Sequence, residues 1–156
     1  MWIKPAAAAV AFLACAAASA RAEPWSRHSP FLCRTVYPAD QVHVWFWGGL
    51  ESTLPQDVKV VCPIPDTSDR PDSQITEVRV YISRNPPSNQ YAIRACRTAR
   101  TGLGSTCGPP ALASTQSSEI VLDPGSIWEP TDFGYLEITI GASDPHNVLE
   151  GYVLVY

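Results

Sequence analysis

Charge, methionine and local catalytic motifs are all scarce in this chain. Charged residues make up 17% of its 156 positions, against roughly 25% in an average soluble protein. Eleven basic residues face fifteen acidic ones, for a net charge of −4. That balance excludes a nucleic-acid binder of the basic kind, because phosphate contacts need clustered Lys and Arg. One methionine and fifteen prolines argue against a helix bundle or coiled coil, since proline removes a helix donor and clashes with the preceding turn. An apolar fraction of 46% is too high for a disordered chain and sufficient for a real core.

Signatures of catalysis are missing as well. The three histidines, His28, His43 and His146, are scattered, with no H-x-H or H-E-x-x-H. Zinc sites normally show such clustered ligands. There is no G-x-S-x-G elbow, the residues Gly104–Gly108 being centred on Thr106 beside Cys107. Phosphate-cradling and dinucleotide-binding glycine loops are absent too. These absences predict a non-enzymatic protein with no catalytic residues, no metal and no cofactor.

No apolar run is long enough for a membrane span of about 20 residues. The nearest is the uncharged stretch from Pro5 to Ala20, which follows Lys4 and ends in the small-x-small sites Ala18-Ser19-Ala20 and Ala20-Arg21-Ala22. A positive start, a short apolar middle and small residues at the end are the layout of a cleaved secretory signal. Residues 1–22 are therefore read as a signal peptide and 23–156 as one domain. Loss of Lys4 and Arg21 leaves nine basic residues against fifteen acidic, a net charge of about −6 that suits solubility. Cys15 at the end of the apolar run raises a lipid anchor as the alternative, but Phe12 and Leu13 do not match the usual lead-in. Secretion or a periplasmic location is the expectation, with no transmembrane segment in the mature chain.

Four cysteines remain: Cys33, Cys62, Cys96 and Cys107. No C-x-x-C pair exists, so a zinc ribbon or redox motif is not expected, and an even number in an exported chain reads as disulfides. The favoured pairing is Cys96–Cys107, around a short glycine-rich loop, with Cys33–Cys62.

Period-2 alternation of apolar and polar residues runs through the rest of the chain. It covers residues 41–47, 57–62, 75–83, 90–97 and 135–140; 119–122 is a short apolar run, 148–156 is rich in β-formers to the last residue, and 31–37 is a weaker strand segment. Proline, glycine, asparagine and aspartate turns separate these segments, among them Pro38-Ala39-Asp40, Gly48-Gly49 and Asp123-Pro124-Gly125. Seven to eight half-buried strands predict an all-β, two-sheet antiparallel β-sandwich, Ig-like or jelly-roll-like, because a single open sheet would leave one apolar face wet. Trp47 follows Cys33 by fourteen residues, with Cys96 or Cys107 further on. This spacing resembles the Cys…Trp…Cys of immunoglobulin domains, although the tyrosine two places before the second cysteine is replaced by Arg94 or Ser105. No functional residue is carried over from that resemblance.

Three constellations are candidates for function. His43, Trp45 and Trp47 alternate with Val42, Val44 and Phe46, so in a strand they form a row with side chains about 7 Å apart. Two tryptophan faces in a row suit stacking on sugar rings. Packing is the competing reading, with Val42, Val44 and Phe46 as the core set and the tryptophans covered by a loop. Asp66, Asp69 and Asp72 are spaced by threes in one loop, and carboxylates are hard-cation ligands. A solvated loop with Asx turns is the plainer reading, because calcium needs six or more oxygens. Arg84, Arg94, Arg97 and Arg100 could contact an anionic polymer, although ordinary surface charge explains them as well. The leading functional expectation is a small exported binding or structural protein of the envelope or extracellular space, with a protein or glycan partner and no nucleic acid. The alternative is a carbohydrate-binding module working through Trp45 and Trp47. Mass spectrometry of the exported protein should find a mature chain beginning near Glu23 with no free thiol. A chain starting at an acylated Cys15 would replace the soluble reading with a lipoprotein.

Overall fold

The computed structural model describes residues 24–37, 42–44, 48–53, 55–83, 91–99, 101, 104–113, 118–130, 132–141 and 147–156, and of His43 the backbone alone. Twelve strands are present among them: β1 Trp25–His28, β2 Arg34–Thr35, β3 Val42–Val44, β4 Leu50–Ser52, β5 Val58–Pro63, β6 Glu77–Ser83, β7 Ala92–Thr98, β8 Ser105–Cys107, β9 Ala111–Leu112, β10 Glu119–Leu122, β11 Phe133–Ile140 and β12 Val148–Val155. Each segment of alternation in the sequence contains one of these strands. The four that periodicity does not announce, β1, β4, β8 and β9, are two to four residues long, too short to display a period.

The strands form two antiparallel sheets. The first has the order β10-β6-β12-β4-β3, with β1 also paired to β12. The second has the order β2-β5-β11-β7-β8, with β9 also paired to β7. From β4 to β7 the chain crosses to the other sheet at every step. It then crosses back to β10, over to β11 and back to β12. The order β4-β12-β6-β10 facing β5-β11-β7-β9 is therefore that of a jelly roll, with its two Greek keys. Such crossings bury both inner faces at once. The core comprises Val78, Val80 and Ile82 of β6, Val58, Val60 and Cys62 of β5, and Leu136, Ile138 and Ile140 of β11, each at 0% exposure. Trp128, in the loop before β11, closes the core and donates its indole N–H to the Cys96 carbonyl at 2.8 Å.

The jelly roll removes the immunoglobulin comparison. An immunoglobulin bridge joins the two sheets across the core. Here Cys33–Cys62 and Cys96–Cys107, the pairs favoured by the sequence, both lie at the second sheet. Cys33 directly precedes β2, which pairs with β5, and Cys96 sits opposite Cys107 on β7 and β8. The sheets are instead linked by a hydrogen bond. Tyr152 of β12, 1% exposed, donates its hydroxyl to the Pro63 carbonyl of β5 at 2.8 Å. Burial pushes the Tyr152 hydroxyl up to about 12.

β12 is central to the first sheet, and its register slips between Leu149 and Gly151. Before the slip Leu149 faces the core; after it Tyr152 and Leu154 do, at 1% and 0% exposure. An uninterrupted period of two would place Leu149 and Tyr152 on opposite faces. The extra residue of a β-bulge resolves the conflict. Gly151 takes φ +150°, and a Cβ there would lie 2.8 Å from the His28 carbonyl oxygen. Only glycine fits both the conformation and the space.

The disulfides close loops of 29 and 11 residues by sequence separation. In the chain-entropy model each stabilises by about 3–4 kcal/mol, out of a total of roughly 5–15 for a domain of this size. Reduction should therefore melt the protein or bring it close to melting. An unchanged thermal transition in reductant would refute that accounting.

Candidate functional site

The outer face of the first sheet is set by the register of β1, β12, β6 and β10. Strand pairing aligns Trp25 with Val155 and Val155 with Glu77. The next outward row is Arg27, Val153, Arg79 and Val121. Gly151, Tyr81 and Glu119 follow. The floor is thus valine, flanked by an indole on one side and a phenol ring on the other.

Two adjoining depressions of about 280 Å³ and about 340 Å³ occupy this face. Trp25, Arg79 and Val155 line only the first; His28, Glu150, Gly151 and Tyr152 line only the second. Arg27, Tyr81 and Val153 border both, so the two lie end to end along β12 and are treated together as one groove. From Val155 to Gly151 it follows five residues of β12, four steps or about 13 Å of strand. The bulge at Glu150 and Gly151 therefore shapes one end of the groove as well as the core behind it.

Its side chains are held in place. The Arg27 guanidinium lies 4.9 Å from the Trp25 ring centroid, a cation–π contact that restrains the indole while leaving Trp25 37% exposed. Arg79 bonds Glu77 and approaches Glu119 at 3.6 Å. The hydrogen bond that Arg79 donates to Glu77 holds its guanidinium above the ordinary range. Behind the groove, on the core-facing side of β1 and β12, His28 stacks on Tyr152 with ring centroids 5.0 Å apart, and its Nε2 is 2.8 Å from the Ser26 hydroxyl. Burial pulls the His28 imidazole below its usual range. Chemically, the groove offers flat apolar faces, two guanidinium groups as donors and carboxylates as acceptors. That combination matches a hydroxyl-rich ring with apolar C–H faces.

The residues singled out in the sequence are placed differently. Trp45 and Trp47 lie outside the described residues, as do residues 1–22 with Cys15, and Arg84, Arg100 and His146. β3, which contains His43 and leads into Trp45, belongs to the same first sheet, with His43 paired to Glu51. Val42 packs against the core as expected, but Val44 is 52% exposed. Among the described strands, β3 is the edge strand of this sheet.

The aspartate loop does not converge. Asp66 and Asp69 are exposed, whereas Asp72 is 1% exposed beneath Gly134. A Cβ on Gly134 would lie 2.6 Å from Asp72 Oδ2. Burial, and after it the charge of Asp66, raises the Asp72 carboxyl above its ordinary range. No group of three His, Cys, Asp or Glu among the described residues could hold a metal ion. The arginine cluster also dissolves. Arg94 and Arg97 point to opposite faces of β7, and Arg97 pairs with Glu129 and Asp132. Trp25 and Tyr81 were missed by sequence reasoning. β1 is four residues long, and Tyr81 reads as an ordinary outward position of an amphipathic strand.

No family model and no curated protein matches the chain. Among solved structures it is similar to the low-affinity xylan-binding module CBM86 of the gut symbiont Roseburia intestinalis. The two share 13% identity and a TM-score of 0.53, covering 83% of this chain and 93% of that one. Looser likenesses are to two family 11 carbohydrate-binding modules of Clostridium thermocellum. One, solved with a β-1,3-1,4-mixed-linked tetrasaccharide, has 11% identity, a TM-score of 0.44 and coverage of 86% and 89%. The other, from the cellulosomal cellulase Lic26A-Cel5E, has 12% identity, a TM-score of 0.41 and coverage of 85% and 87%. At these identities the likeness to the first module establishes a shared β-sandwich fold, and the two looser ones carry no weight.

A pH dependence follows from His28. Its pKa is lower in the folded protein than its usual 6.5, so the unfolded chain binds the proton more tightly. Its contribution to stability is complete above about pH 6.5 and is lost as pH falls toward the depressed folded value. The thermal midpoint should fall between pH 7 and pH 5, and His28→Gln should reduce that fall. An identical pH profile in the variant would refute the assignment.

Proposed function

We propose that this protein is a non-catalytic carbohydrate-binding module that is exported and holds a polysaccharide chain in the groove between Trp25 and Tyr81. One observation carries the reading: the two depressions adjoin along β12 and share Arg27, Tyr81 and Val153. An open groove along a strand suits a chain of sugar rings better than a single small molecule. Trp25 supplies a stacking face, the valines of β12 supply an apolar floor, and Arg27 and Glu150 supply hydrogen bonds to ring hydroxyls. Such a mixture of apolar surface and a few placed polar groups is the usual make-up of a ligand site.

The shared fold with a xylan-binding module supports a β-linked polysaccharide as the ligand class and xylan as the first probe. The net charge of −4 supports a neutral chain over an anionic one, which the protein as a whole would repel. Two disulfides support export, since such bridges persist in oxidising compartments. No described helix is long and apolar enough to cross a membrane. Trp45 and Trp47 remain candidates to extend the site, because β3, which ends at Val44 just before them in the sequence, belongs to the same sheet as the groove.

Binding to insoluble xylan and titration with xylohexaose and cellohexaose test the proposal. Trp25→Ala and Tyr81→Ala should each weaken binding by about tenfold or more, the size expected for losing a central aromatic contact. Trp25 is already 37% exposed, so Trp25→Ala should melt close to the parent. Folded variants that bind as well as the parent would remove the groove from consideration, and a parent that binds no glycan would sink the function itself.

A further inference from the structure

The second sheet carries a groove of its own on the far side of the sandwich. Its volume is about 480 Å³, and Leu32, Arg34, Pro63, Thr98, Phe133 and Tyr135 line it. Phe133 is 61% exposed and Leu32 48% exposed. Outward-facing aromatics of this size are not required by the core, which β11 already supplies through Leu136, Ile138 and Ile140. Register places Phe133 opposite Thr98, and Tyr135 between Pro63 and Cys96.

Both disulfides brace this groove. Cys33–Cys62 ties the segment carrying Leu32 and Arg34 to β5. Cys96–Cys107 ties β8 to β7 beside Tyr135, and Ser105 of β8 hydrogen-bonds the Tyr135 hydroxyl. The walls are therefore covalently fixed before any ligand arrives, which lowers the ordering cost of binding. The apolar rings are interleaved with the hydroxyls of Tyr135 and Thr98 and with the Arg34 guanidinium. A dry protein contact would leave those polar groups to be buried and re-paired. A hydroxylated ring stacked on Phe133 would meet them with its own donors and acceptors.

We infer that this groove is a second glycan site, so that the module holds two neutral, β-linked polysaccharide chains on opposite faces. The inference rests on the carbohydrate-binding reading above. Packed sheets stand about 10 Å apart, with the core between them. The grooves therefore face away from each other, and the two sites engage separate chains. The protein acts as a cross-link between polysaccharide strands.

Calorimetric titration of the intact chain with xylohexaose and cellohexaose tests this. The expected result is two oligosaccharides bound per chain, one per chain in Phe133→Ala, one in Trp25→Ala and none in the double variant. Arg34→Ala should weaken the same site as Phe133→Ala, which guards against a folding defect in one variant. Soluble xylan should become turbid with the parent and stay clear with either single variant. A single bound oligosaccharide in the parent, whichever variant removes it, overturns the two-site inference and leaves the module reading intact. A concentration-dependent dimer that Phe133→Ala abolishes also overturns it, since the groove would then be a contact between copies. No binding of either probe by the parent would sink the underlying carbohydrate-binding reading instead.

Discussion

The bulge at Glu150–Gly151 is the constraint on which the first sheet depends. β12 pairs with β6 along one side and with β4 and then β1 along the other. Leu149 must enter the core at one end of this strand, and Tyr152 and Leu154 at the other. One extra residue reconciles them, and it is possible because Gly151 fits under the His28 carbonyl. The same slip opens the end of the outer groove and aims the Tyr152 hydroxyl at Pro63 in the opposite sheet. Core packing, sheet-to-sheet linkage and groove shape are thus consequences of one local irregularity.

The two sheets are stabilised by different means. The first is held by broad apolar contact and by ion pairing across its surface, as in the Arg79, Glu77 and Glu119 group. Exposed pairs of this kind contribute little stability; their effect is to hold side chains in position around the groove. The second sheet has both disulfides and two very short strands, β2 and β9, at its margins. Two residues of pairing cannot hold an edge segment by themselves. The bridge at Cys33 holds what the hydrogen bonds of β2 do not.

Polar groups gather around Gly134 at one end of the sandwich, Asp72 buried and the Arg97 ion pairs partly exposed. Asp72 occupies the space that Gly134 leaves open, against Trp128. Arg97 faces Glu129 and Asp132 near by. Residues that looked in the sequence like a cation loop and a basic patch instead close one end of the fold. Alternation along β7 separates Arg94 from Arg97, and burial separates Asp72 from Asp66 and Asp69. Closeness in sequence gave a false impression of a shared site in both cases.

The sequence by itself determined the two-layer β architecture and limited the cysteines to three possible pairings, of which it favoured the one that forms. Alternation such as Val78, Val80 and Ile82 against Glu77, Arg79 and Tyr81 has one physical solution, a strand with one face in the core. Disulfide partners are limited to few choices when only four cysteines remain. The tertiary structure alone decided the jelly-roll order, because strand order depends on which chain crossings bury both inner faces, and that is not a property of any one segment. It also decided the groove. Trp25 and Tyr81 are 56 positions apart and come together only because β1 and β6 lie on either side of β12. Short edge strands such as β1 have no period to read, and a bulge breaks the period that β12 would otherwise show. Long-range pairing, and not local pattern, brings the ligand-facing side chains to one surface.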